Sequence, residues 1–555
     1  LPETLVRPCS SKKLLISKLQ TNYWFPSTKV TASTEKYILA IDLGTSGPKS
    51  ALISTRGEVI DYEFENVDLL ILPEGGAEQI PDQWWQAVLN TSKRVLEKHW
   101  VAAADIVCVS CTTQWSGTVA VDSGGQALAN AIIWMDTRGR RYVEQVTGGL
   151  INIEGYSLPK LSRWLRLTGG APGHAGKDPI AHILFLKSEV PQIYRRTFKF
   201  LEPKDYINLR LTGRFAASYD SIALHWITDN RDLNRVTYDD RLLRIFGIPR
   251  EKFPDLKQAV DILGPVKKEV AQELGLEPET PVITGTPDLH SAAIGSGAVR
   301  DFEGHLYVGT SSWITCHVPF KKTDLVHNMA ALPSAIPNRY FIANEQETAG
   351  ACLTFLKDNM LLPQERPSDA YKVFDKIAGN APAGSNNVIF TPWLYGERTP
   401  VENDSVRAGL FNLSLNTTRA HVVRAIYEGV AYNSRWLLGY VEKFIKRRLD
   451  PIHFIGGGAN SSVWCQIFAD VFNRTIKQVK APIQANLRGA AFLASIALGH
   501  LAVEDIPDQV KISRTYQPNK NNRHLYDGLY RQFLELYKRN RRIFKHLNCS
   551  QPPNM

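Results

Sequence analysis

The chain has 555 residues, 44% hydrophobic and 22% charged, a composition that suits a folded protein of two large domains or three to four small ones. Its formal net charge of +10 sits at the two ends: residues 1–36 carry six Lys/Arg against two acids, and residues 511–555 carry ten against two. The interval between them is near −2, which argues against a nucleic-acid groove across the fold, and no apolar run has the length of a membrane span. Seven cysteines without a secretory signal pattern predict a reduced, cytoplasmic setting. Cys108 and Cys111 form a lone CxxC with no second pair, which is weak ground for zinc or redox chemistry.

Residues 1–36, rich in Lys, Leu and Ser, read equally as a transit peptide implying organellar import or as an ordered surface extension. From Tyr37 the chain runs YILAIDLGTSGPKSALI. Ile38 to Ile41 reads as a buried strand and Ser50 to Ile53 as its returning partner, around the turn Gly44-Thr45-Ser46-Gly47. Glycines at such a turn let backbone amides approach an anion. Thr45, Ser46 and Lys49 add donors, and Asp42 adds a carboxylate suited to hydrated Mg²⁺. The same residues also fit an ordinary hairpin.

A second copy favours the phosphate reading, with the rest of the chain left to supply further support. HLYVGTSSWITCHV, from His305 to Val318, again runs strand, Gly309-Thr310-Ser311 turn, strand, about 265 residues further on, without a carboxylate matching Asp42. The two hairpins resemble the phosphate 1 and phosphate 2 loops of the actin-like ATPase superfamily. That resemblance implies two related α/β domains of the ribonuclease H-like type facing each other across a nucleotide cleft.

Between the hairpins, Pro81 to Lys98 reads as a helix, and Ile106–Val109 and Thr118–Val121 read as strands around a polar loop, Gln114-Trp115-Ser116-Gly117. Strand and helix then alternate, which predicts a mixed sheet. DLGTSGPK, that polar loop, IIWMDTR at 132–138 and FLEPKDYINLRLTGRF at 200–215 together resemble the FGGY family of carbohydrate kinases, its xylulokinase-like members most of all. Gly155 to Leu167 and Pro179 to Tyr194 look like the family's lysine-leucine helix, which leaves 168–178 as an expected insertion. PVITGTPDLHSAAIGSGAV places Asp288 near a helix N-terminus, where an aspartate also serves as a cap. TPWLYGERTP at 391–400, FIGGGANSSVWCQIFAD at 454–470 and the small-residue helix Gly489–Gly499 follow in family order. Leu525, Leu529, Phe533, Tyr537 and Leu547 predict a helical apolar stripe near the C-terminus. The implied domains are 37–296 and 297–555.

The resemblance implies ATP-dependent phosphorylation of a small-sugar hydroxyl, with ATP and Mg²⁺ as cofactors. Gly44, Thr45, Ser46, Lys49, Gly309, Thr310 and Ser311 would serve the phosphates, Gly457, Gly458 and Asn460 the adenosine, and Asp42 the metal. Asp288 would be the base for the attacking hydroxyl. Gln114, Trp115, Ser116, Asp288, Leu289 and His290 would line the sugar site. Xylulokinases commonly read Gln-Met-His-Gly and Asp-Asn or Asp-Gln at these two places, so the expected substrate is a pentulose such as xylulose, or a related ketose or polyol, with altered preference. A catalytically silent, ligand-binding relative is the alternative, favoured less because Asp42, both turns and Asp288 are retained. The expected partner is a small sugar, with no nucleic acid and a monomeric or homodimeric state.

Overall fold

The computed structural model describes residues 35–360 and 369–548, so the expected extension over 1–36 lies outside the described residues except for its last two. The first half is organised on a seven-stranded mixed sheet. β1 (Tyr37–Gly44) and β2 (Gly47–Ser54) pair antiparallel with Asp42 opposite Lys49, which leaves Thr45 and Ser46 as a two-residue tip. Only glycine fits at position 47: its φ is +138°, and a Cβ there would fall 1.9 Å from the carbonyl oxygen of Glu65. β3 (Val59–Phe64) forms the edge beyond β2, and its residues alternate between half-buried and exposed.

On the other side of β1 lies β4 (Ile106–Thr113), parallel to it. Next come an antiparallel edge strand, β5 (Ile262–Pro265), and the strand that joins it to β4, β6 (Pro281–Ile283), parallel to β4. β7 (Thr286–Pro287) resumes the pairing with β4 after Gly285 and leads into the helix that begins at Asp288. Ile38 to Ile41 are wholly buried, because both faces of β1 are covered. One cover is α1 (Pro81–Leu96), whose Trp84, Val88 and Val95 pack with Leu39, Ile41 and Leu52. The lysine-leucine region forms a helix over Leu158–Leu167 and a second, α2 (Pro179–Glu189), with an irregular loop between them.

The second half repeats the plan. β8 (Gly304–Val308) and β9 (Ser312–Thr315) form the second hairpin, β10 (Ile452–Ile455) and β11 (Ile476–Val479) add in parallel, and β12 (Ile512–Tyr516) closes an antiparallel edge. Antiparallel, parallel, parallel, antiparallel is also the run from β2 to β5 across the first sheet. The recurrence of the Gly-Thr-Ser turn therefore marks a repeated architecture. The resulting fold is mixed α/β with two facing sheets, as the resemblance implied.

α3 (Asp288–Gly295) ends the first half, and α4 (Arg419–Ile445), α5 (Ser462–Phe472) and α7 (Arg523–Asn548) cover the second sheet around one apolar core. The last of these buries Tyr526, Leu529, Phe533 and Tyr537, whereas Leu525 and Leu547, expected on its stripe, are exposed, Leu547 beyond the last buried residue of the helix. α6 (Ala485–Ala497) has a different position from its neighbours in sequence. It packs Ala490, Ala491, Phe492 and Ala494 in one core with Ile38, Ala40, Ala51 and Ile53 of the first sheet. It meets α3 at two glycines: a Cβ on Gly489 would lie 1.9 Å from Ser291 O, and one on Gly295 would lie 1.8 Å from Ala485 O. Ser110 Oγ and Ser291 Oγ donate to the carbonyls of Ala490 and Asn486 at 2.8 and 2.7 Å, which completes the joint between the halves.

Candidate active site

Both hairpin tips reach one cavity of about 710 Å³. The first half contributes Asp42, Gly44, Thr45, Ser46, Lys49, Gln114, Trp115, Ser116, Asp288 and Leu289 to its lining, and the second contributes Thr310, Ser311, Glu345 and Arg398. Residues far apart in the chain thus converge because each sheet delivers its hairpin at the same end of its central strand.

Asp42 is buried at the end of β1, with Lys49 Nζ 3.3 Å from its Oδ2. Its other oxygen, Oδ1, has no hydrogen-bond partner. A buried, unpartnered carboxylate oxygen fits a hydrated Mg²⁺, an ion held by one or two carboxylates together with water and phosphate oxygens. No group of three or more His, Cys, Asp or Glu among the described residues is arranged to hold a metal. Lys49 is paired with Asp42 rather than turned to solvent.

Asp288 is the first helical residue of α3, following Pro287, and its Oδ1 accepts from Leu289 N at 2.8 Å. It is therefore not the N-cap itself. Burial, followed by the like charge of Asp42, pushes its carboxyl up to about 8.

The predicted sugar loop is present, but its polar atoms point inward. Gln114 Oε1 accepts from Thr45 Oγ1 at 3.0 Å, and its Nε2 donates to Gln79 Oε1 at 2.7 Å. Trp115 Nε1 donates to Ser221 O at 3.0 Å. Ser116, in left-handed backbone at φ +66°, donates its hydroxyl to Lys177 O at 2.7 Å.

His290 does not line the cavity. It is fully buried, edge-on to Trp115 at 5.3 Å between ring centroids and 4.6 Å from the ring of Phe341. Neither ring nitrogen has a partner, and burial lowers its pKa to about 3. The reason is helical geometry: two residues on from Asp288 the helix has turned about 200°, so the side chain enters the core on the opposite side.

Gly309, Gly457, Gly458 and Asn460 also lie outside the cavity lining. The turn Gly457–Asn460 follows β10 and rests on β8, where a Cβ on Gly458 would fall 2.8 Å from Val308 Cγ1. The glycine turn is therefore next to the second hairpin. A Cβ on Gly457 itself would meet nothing within 4 Å, so its backbone has an open face.

Sequence reasoning missed the loop at 168–178, expected as an insertion. Gly170, Gly173, Lys177 and Asp178 form part of the cavity wall. Asp178 Oδ2 accepts from Gly173 N and from Trp226 Nε1, each at 2.7 Å, and burial raises its carboxyl to about 6. Lys177 Nζ reaches across to Glu347 Oε1 of the second half at 2.9 Å. Arg398, from the Gly-Glu-Arg-Thr-Pro loop, pairs with the same Glu347 at 3.0 Å and with Glu345 at 2.6 Å. Burial opposes ionisation of Glu347, but Arg398 and Lys177 outweigh it and hold the carboxyl well below its ordinary value. The only sequence signal for this group was the Arg398 loop itself. Cys108 and Cys111 are free thiols buried in β4, and burial raises both, Cys108 to about 12, which removes the thiolate that metal or redox chemistry needs.

Two α/β domains with paired Gly-Thr-Ser hairpins enclose a shared cavity that holds a carboxyl group at the start of a helix, an arrangement suited to transferring a phosphoryl group to a hydroxyl. Residues 37–295 match the N-terminal domain, and residues 305–498 the C-terminal domain, of the FGGY family of carbohydrate kinases. The chain belongs to that family. A xylulose kinase of Staphylococcus epidermidis is 28% identical over 525 residues, covering 92% of this chain and 98% of the relative. Two structures from Lactobacillus acidophilus, each 26% identical, share the fold. A gluconate kinase has a TM-score of 0.81 and covers 93% of this chain and all of its own, and a ligand-bound xylulose kinase has 0.79 and covers 91% and 98%. No helix among the described residues is long and apolar enough to cross a membrane.

Proposed function

We propose that this kinase phosphorylates a hydroxyl of a small neutral sugar, a pentulose such as xylulose or a related ketose or polyol, with Asp288 as the general base. The observation that carries the reading is the carboxyl of Asp288, raised to about 8 in a cavity that both hairpins line. A group of that basicity accepts a proton from an alcohol as its oxygen attacks, and the helix start fixes its orientation. The backbone of Gly44, with Ser46, Thr310 and Ser311, holds the phosphates, Gly309 shapes the second turn by donating its N–H to Ser311 O at 2.9 Å, and Gly457, Gly458 and Asn460 hold the adenosine. Asp42 holds Mg²⁺ through water, with Lys49 beside it. Bound MgATP supplies the transferable phosphoryl group and neutralises its charge.

The relatives' names divide between xylulose and gluconate. The charge of the cavity favours the neutral sugar: six carboxyl groups (Asp42, Asp178, Asp288, Asp324, Glu345 and Glu402) line it against three cations, Lys49, Lys177 and Arg398, and five acids still face those three when Asp288, raised to about 8, is protonated at neutral pH. Those cations are already paired with acids, so a sugar acid would meet an excess of like charge. ADP release measured over D-xylulose, D-ribulose, xylitol and D-gluconate tests the reading. Turnover of one or more of the neutral compounds is expected, and turnover of gluconate alone overturns it.

A further inference from the structure

We infer that Lys204, Asp220 and Thr286 are positioning residues: they clamp the segment Thr284–Pro287, from which α3 starts, and so set Asp288 against the loop Gln114–Gly117. The inference rests on the reading of Asp288 as the base and specifies what holds it there. α3 has no side-chain cap, its N-cap being Pro287, so the direction in which Asp288 enters the cavity is inherited from the residues before it. Those residues have little support from the sheet. β6 ends at Ile283, Gly285 turns the chain in left-handed backbone at φ +69°, and β7 resumes for two residues.

Side chains supply that support instead. Lys204 Nζ, from the helix Pro203–Thr212, donates to Thr284 O at 2.9 Å, and Asn208 Nδ2, one turn further on, donates to the same oxygen at 2.7 Å. Thr286 Oγ1 donates to Asp220 Oδ2. Lys204 Nζ also donates to Asp205 Oδ1, and Asp205 Oδ2 accepts from Ser221 Oγ at 2.9 Å. The carbonyl of Ser221 in turn accepts from Trp115 Nε1 at 3.0 Å, and Glu202 Oε2 accepts from Gly117 N at 2.9 Å. One cluster therefore grips both the base segment and the loop opposite it. Lys204, Asp205, Asn208, Asp220 and Thr286 are wholly buried, and none of them lines the cavity, so they reach the reaction only through what they hold. A buried ion pair adds little to stability over apolar side chains of the same volume, but a satisfied buried network locks the backbone it bonds to.

The test uses the whole chain and whichever of D-xylulose, D-ribulose, xylitol and D-gluconate releases ADP fastest. Thr286→Val is isosteric and removes the hydroxyl, and Lys204→Met removes the ammonium. Each should lower kcat about tenfold to a hundredfold with the KM for ATP unchanged, the scale on which a misplaced reacting group slows turnover. Thr286→Ser keeps the hydroxyl and should restore most of kcat, whereas a role in stability alone would lower Tm without that split between kcat and KM. In the Asp288→Asn background Thr286→Val should add no further loss, because no base is left to position. Where one variant lacks a cooperative melt, the other carries the test, and failure of both to fold makes the cluster structural and overturns the inference. Wild-type kcat in the folded variants, or a full second loss in the Asp288→Asn background, also overturns it and leaves Asp288 as the base. Wild-type turnover of Asp288→Asn itself defeats the base reading, and the inference with it.

Discussion

Thr45 Oγ1 donates to Gln114 Oε1 at 3.0 Å, a hydrogen bond that ties the tip of the first hairpin to the loop after β4. The same hydroxyl accepts from Trp134 Nε1 at 3.0 Å, and Gln79 Nε2 holds Thr45 O at 2.8 Å. Thr45 therefore braces the tip from inside, and the groups it leaves for a phosphate are backbone amides and the exposed Ser46.

Gln114→Ala should loosen that tip. The change removes the hydrogen bonds to Thr45 and to Gln79, and loss of the one at Thr45, about 1–1.5 kcal/mol, corresponds to a roughly tenfold rise in the KM for ATP with a smaller change in kcat. Steady-state kinetics with ATP varied at saturating sugar checks this. A variant with unchanged KM for ATP would show that the network does not position the phosphates.

With Asp288 as the base proposed above, Asp288→Asn should remove most turnover and leave nucleotide affinity intact. Loss of a positioned base costs on the order of 10²- to 10⁴-fold in rate. Single-turnover measurements paired with nucleotide titration separate the two effects. Wild-type turnover in the variant would mean that another group takes the proton.

The raised pKa of Asp288 makes two statements about pH. As a base it must be ionised, so kcat/KM for the sugar should rise with pH up to about 8 and level off above it. For stability the sign runs the other way. The folded pKa lies above the ordinary aspartate value of 3.8, so the stabilisation tied to the protonated group is complete below that value and is lost as pH rises through about 8. Asp288→Asn cannot ionise, and its Tm should exceed that of the wild type at pH 9, with the gap closing toward pH 4. Thermal melts across that range provide the check, and a gap that widens in acid would contradict the assignment.

Lys177 Nζ and Glu347 Oε1, 2.9 Å apart and mostly buried, connect the two halves beside the cavity that Lys177 lines. ATP must bridge hairpins on opposite halves, so nucleotide and sugar together should draw them inward. Small-angle scattering should show a smaller radius of gyration for the wild type with both ligands, and less compaction for Lys177→Met. Equal compaction in the two proteins would remove the ion pair from any part in closure.

Much of the site was legible in the sequence because its signals are local. The first hairpin has a two-residue tip between glycines and the second a three-residue tip that opens with Gly309, so both, with Asp42 and Thr310, could be read from a few adjacent residues. Asp288 was readable in the same way, from a Gly-rich turn leading into a small-residue helix. Tertiary structure alone decided which polar atoms remained free. Ser116 spends its hydroxyl on a carbonyl 61 residues away and Trp115 its N–H on one 106 residues away. It also made the 168–178 loop a wall and gave α6 to the joint between the halves, while His290 was turned into the core by helical rotation that residue identity does not reveal. A turn is specified by the torsions of its own residues, but a side chain's free hydrogen-bonding capacity depends on every segment folded against it.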